Sequence, residues 1–120
     1  MEKELVINGI TYVPKDCKVK NKNGLRMVII RTYSAGVFYG YLEYEEDTLA
    51  GIKVKLLDAR RIWQWAGAAS LSQLAVDGTS KPDKCKFPCK VSENTLIAIE
   101  IIPMTEKAVE SLNNVSVWSE

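Results

Sequence analysis

The chain has 120 residues, 47% of them apolar and 26% charged, with a formal net charge of +1. That balance fits one globular domain large enough to bury a core without metal or disulfide staples. It excludes a whole-surface electrostatic binder of DNA or membrane, and no apolar run approaches the ~20 residues that span a bilayer.

Residues 4–13 read ELVI-NG-ITYV, two β-rich runs around an Asn8-Gly9 turn of the hairpin type. They lack the long apolar core of a secretory leader, so the chain reads as cytoplasmic. Residues 15–24 carry Lys15, Lys18, Lys20 and Lys22 and form a polar connector. Residues 25–33, LRMVIIRTY, are apolar on both faces and predict a central strand. Ser34-Ala35-Gly36 breaks it, and residues 37–45 return as a strand rich in aromatics. Residues 45–51 make an acidic turn. The next stretch, 52–65, is too long for a flat strand and is expected to bend near Asp58-Ala59.

A first helix is predicted over 67–76, with Ala68, Leu71, Leu74 and Ala75 on one face and Gly78 as its stop. Pro82 and Pro88 punctuate a loop over 79–91, and residues 95–102 form another strand. Thr105 caps a second helix over 106–112, and Trp118 is a packing or interface anchor. The sum is about six strands and two helices, hence an α+β fold: a mostly antiparallel β-sheet core with two helices packed on it. One domain spans 1–120, with 1–24 as hairpin and connector and 25–120 as core.

Candidate chemistry concentrates where the long strand meets the first helix. Arg60, Arg61, Trp63 and Trp65 precede a helix start made of small residues, the parts of a pocket for a flat, phosphorylated anion. Strand alternation puts Arg61 on the face of Trp63 and Trp65, and Arg60 on that of Ile62 and Gln64. Arg31, Arg60 and Arg61 would serve the phosphates, Arg61 as a clamp or a cation stacked on a base with Trp63 or Trp65 as the opposite wall. The alternative has both adjacent arginines snorkelling to solvent, or pairing with Asp58, around core tryptophans. Arg31 interrupts an apolar strand and needs either an arriving anion or an internal partner such as Glu43, Glu45 or Glu100. Tyr33, Ser34 and Gly36 would shape one wall, and Phe87, on a proline-flanked loop, is a candidate lid over a ring. Three cysteines, Cys17, Cys85 and Cys89, suit reduced thiols. With no histidine in the chain, imidazole acid–base catalysis and Ser-His or Cys-His nucleophile pairs are excluded. No catalytic set, metal ligand set or cofactor motif stands out, so ligand capture without chemistry is the expectation.

The segments RMVIIRTYSAGVFYGYL (26–42), ARRIWQWAGAASLSQLAVDG (59–78) and KCKFPCKV (84–91) resemble a small phage-encoded family, the first-described Thoeris anti-defence sponges. The resemblance covers roughly residues 25–112. It implies a protein that sequesters, without cleaving, the glyco-cyclic ADP-ribose signal of bacterial TIR enzymes. It also implies cyclic di- or trinucleotides of CBASS defence as further ligands. A homo-oligomer, dimer or hexamer, with ligand sites near subunit interfaces, would be the acting form, with neither DNA nor membrane as a partner. Three alternatives stay open from the residues: an adaptor that blocks a host protein, a single-strand nucleic-acid binder, and a metal-dependent cyclic-nucleotide hydrolase.

Overall fold

The computed structural model describes residues 24–119, so the hairpin, the lysine-rich connector and Cys17 lie outside the described residues. Four strands, β1 (Met27–Thr32), β2 (Val37–Thr48), β3 (Gly51–Arg61) and β4 (Val91–Pro103), form one antiparallel sheet. Two helices, α1 (Leu71–Asp77) and α2 (Glu106–Asn113), complete an α+β fold. The sheet closes on itself in the order β1-β2-β3-β4. Closure depends on the length of β4, whose first half pairs with β3 and whose second half pairs with β1. Ala98 sits at the handover, opposite Ile52 on one side and Thr32 on the other.

A strand shows alternate side chains to opposite faces, and here both faces of β1 are buried, which is why it reads as apolar throughout. Val28 and Ile30 turn inward to meet Phe38, Leu42, Val54, Leu56, Ala59 and Ala98, which fill the barrel. Met27 and Ile29 turn outward into a second core with Tyr39, Ile62, Leu74, Phe87, Leu112 and Val115. The two helices and the final segment cover that outer face. Gly40 permits the tight wall between β2 and β3: a Cβ there would lie 3.0 Å from the Leu57 carbonyl oxygen and 3.1 Å from the Ala59 Cα.

Bends arise where one strand carries an extra residue. Tyr39 pairs with Arg60 but Tyr41 with Leu57, so three steps on β3 oppose two on β2. Asp58 absorbs the excess at φ 51°, a left-handed conformation that Asp tolerates better than most residues. This is the bend anticipated near Asp58-Ala59. On β4, Ile99 is the extra residue that separates Glu100, opposite Arg31, from Ala98, opposite Thr32.

Other boundaries differ from the sequence-based expectation. The acidic residues Glu45, Glu46 and Asp47 belong to β2, whose hairpin with β3 turns over Leu49 and Ala50. There Thr48 Oγ1 donates to the Gly51 carbonyl at 2.6 Å and accepts from Ala50 N–H at 3.1 Å. α1 begins at Leu71 rather than at Gly67, because Ser70 caps it: its hydroxyl accepts from the Gln73 amide at 3.1 Å. The Gln73 side chain reaches back to accept from Ala69 N–H at 2.7 Å, a reciprocal pair of the capping-box kind. The helix stops at Gly78 and α2 starts at the Thr105 cap, both as the sequence indicates. The two helices pack closely at that stop: a Cβ on Gly78 would come within 2.4 Å of the Ser111 side chain. Cys85 is a buried free thiol. Among the described residues no helix is long and apolar enough to cross a membrane.

Candidate functional site

The sequence-selected residues divide into two environments, set by which way each leaves the sheet. Arg60 points outward, beneath the second core, and is 3% exposed. Its Nε donates to Pro88 O at 2.8 Å. One terminal nitrogen donates to Tyr39 Oη and Leu112 O, at 3.2 and 3.1 Å. The other donates to Phe87 O and Val115 O, at 3.1 and 2.9 Å. A guanidinium has five N–H donors, and all five are used. Carbonyl dipoles, Leu112 O among them at the negative end of α2, take the place of a counter-ion.

Tyr39 extends this network by donating to Asn113 Oδ1 at 2.9 Å. Burial pushes its phenol pKa upward, and the adjacent Arg60 opposes only part of that rise. Phe87 lies under the Arg60 guanidinium, 5.3 Å from its ring centroid, and meets Tyr39 edge-on at 6.1 Å. Phe87 is fully buried. It therefore has no free face for a ligand ring, and Arg60 has no donor left for a phosphate. Both support the site from behind rather than line it, which revises the lid and clamp roles expected from their loop and strand positions.

Arg61 leaves the sheet on the other side, at the mouth of the barrel. Its guanidinium lies 4.4 Å from the Phe38 ring centroid and donates to Ala35 O at 2.5 Å. The loop that it touches is stiff. Thr32 Oγ1 accepts from Ala35 N–H at 2.9 Å and donates to Gly36 O at 2.8 Å, and Thr32 N–H donates to the same carbonyl at 3.0 Å. Gly36 has φ 101°, and a Cβ there would stand 3.2 Å from the Arg61 terminal nitrogen. A β-branched residue at this position would strain the backbone and push the guanidinium away.

This rigid turn presents Tyr33, 90% exposed, and Ser34, also exposed, to solvent. Trp63, two residues beyond Arg61, is 61% exposed while its backbone N–H is anchored on Lys86 O at 3.1 Å. Arg31 faces outward at the same end of the barrel, where Val37 pairs with it and accepts from Ile62 N–H. Its Nε is 2.8 Å from Glu100 Oε1, the internal ion-pair alternative foreseen for it. The ion pair uses one donor edge of a half-exposed side chain.

At the start of α1, Ser70 and Gln73 take up two of the N–H groups, those of Gln73 and Ala69. Gly67 is there for contact: at φ 86°, its Cβ position falls 2.5 Å from Thr79 Oγ1 and 2.6 Å from Lys81 N. Sequence reasoning had a signal for the Arg60 role that it left unused. Arg60 shares parity with Ile62, a 3%-exposed core residue, and on a strand a shared face means a shared environment.

What emerges is a small closed α+β domain with one buried arginine hub and, at one barrel end, a rigid aromatic and guanidinium surface. A family model described as a domain of unknown function, DUF6948, matches residues 25–112, and the chain belongs to that family. No curated protein and no solved structure matches the chain.

Proposed function

We propose that this protein binds and sequesters a cyclic ADP-ribose-type signal, as a phage anti-defence sponge, and releases it unchanged. The carrying observation is the partly exposed barrel end, where Arg61 is hydrogen-bonded to Ala35 O, Trp63 is anchored through its backbone N–H, and the Tyr33 and Trp63 rings reach solvent. Arg31 and Arg61 serve the phosphates, Trp63 and Tyr33 stack on the base, and Ser34 and Gly36 shape the wall. Donors on a rigid frame favour tight capture because little ordering is left for binding to supply.

Nanomolar affinity corresponds to about 12 kcal/mol. An open barrel end reaches that only when something encloses the ligand, and a second copy of the chain in a homo-oligomer provides the enclosure. The bacterial host cytoplasm is the compartment this reading requires. Titration calorimetry against cyclic ADP-ribose isomers, then heat release and chromatography of the ligand, tests it. Intact ligand supports a sponge; cleaved ligand makes the protein a hydrolase. The 90% exposure of Tyr33 also suits a host-protein partner. In that case no isomer gives binding heat, and Tyr33→Ala abolishes capture of the partner.

A further inference from the structure

Resting on the reading above, we propose that Glu100 is a charge filter at this site: it admits ligands with one negative charge per phosphate and disfavours an added phosphomonoester. Glu100 sits directly opposite Arg31 because the Ile99 bulge resets the register of β4 at that step. Its carboxylate meets Arg31 Nε at 2.8 Å, and the two side chains are 38% and 48% exposed, so both stay within reach of a ligand.

The ion pair is close to neutral overall, which leaves Arg61 as the net positive charge among the proposed contacts. A pyrophosphate diester carries a single charge on each phosphorus. It can take the terminal nitrogens of Arg31, on the edge away from the carboxylate. A phosphomonoester is close to a dianion at neutral pH. Brought to the same arginine, it sets its second charge against the Glu100 carboxylate. Selectivity of this kind comes from a repulsive element built in beside the attractive one. At separations of several ångströms in a half-exposed setting, such repulsion is worth about 5-fold in affinity, and salt weakens it. A ring-closed nucleotide without a terminal phosphate fits that filter.

The test compares two probes by titration calorimetry: cyclic ADP-ribose and cyclic ADP-ribose 2′-phosphate. The wild type should prefer the first by about 5-fold at low salt. Glu100→Gln should erase the preference by tightening the second probe, whereas Glu93→Gln, which removes a carboxylate beside Lys55 on the same strand, should leave it in place. If Glu100→Gln weakens both probes equally, Glu100 merely steadies Arg31 and the filter is refuted. If the wild type binds both equally, the filter is refuted while the binding site stands. If neither probe binds the wild type, the filter and the function fall together.

Discussion

Arg60 and Arg61 are neighbours of identical chemistry with opposite fates. The first is sealed under the helices with every donor used, and the second lies over the barrel mouth with part of its guanidinium in reach of solvent. The difference teaches that an arginine pair in a sequence is not a doubled binding signal. On a strand one member faces the packed layer, and its charge is spent on holding the fold.

The sharpest way to break the comparison is to remove the buried member. Arg60→Met takes a donor from four carbonyls. Phe87 O keeps Trp118 N–H and Leu112 O keeps Val115 N–H, while Pro88 O and Val115 O lose the bonds described above, and each group left unsatisfied costs about 1–3 kcal/mol. Denaturant titration should show a loss of about 3 kcal/mol or more. Arg60→Lys should recover only part of it, since an ammonium cannot span the carbonyls from Phe87 to Val115. A loss below about 1 kcal/mol for Arg60→Met would show that the hub contributes little.

Next in size is Gly78→Val at the helix junction. The substitution combines a φ of 77° with a Cβ placed against Ser111, and it should cost about 2–3 kcal/mol in the same measurement. Arg61→Ala, by contrast, should change stability by less than about 1 kcal/mol, because its contacts are partly exposed. If the proposed function holds, calorimetry on that variant should register a drop in ligand affinity of more than about 10-fold. A variant that unfolds like Arg60→Met would erase the distinction between the two arginines.

The smallest effect is a pH response confined to the alkaline side. Burial, and then the nearby Asp58 carboxylate, raise the Tyr41 phenol from 10.0 to about 12. The folded state thus favours the neutral phenol. Its contribution is complete below pH 10 and is lost as pH rises through about 12. Tyr41→Phe should flatten part of the fall in denaturant midpoint over that window. An unchanged slope would mean that other groups carry it.

Much of the architecture is legible in the chain itself. Branched residues in MVIIRT, the Gly78 stop and the Thr105 cap announce β1 and the helix ends by local chemistry alone. Closure of the sheet is not announced, because it needs Ala98 to face two strands at once, a tertiary condition without a local pattern. The start of α1 is also written locally. Ser70-Leu71-Ser72-Gln73 carries the capping signature, and the small residues before it suggested helix where there is close packing around Gly67. At the candidate site, exposure separates what residue type cannot. Phe87 and Trp63 look alike as aromatics near prolines or glycines, yet one is fully buried and the other 61% exposed.

The left-handed step at Asp58 decides which arginine serves which purpose. Val54 and Leu56 point into the barrel, and an unbroken alternation from them would send residue 60 inward and residue 61 outward. The additional residue reverses that order, so Ala59 fills the barrel and Arg60 reaches the carbonyls beneath the helices. Running β3 straight through this step at its present length would exchange the two guanidiniums, stranding one inside the barrel and removing the other from the mouth, whereas deleting Asp58 would leave both on their present sides.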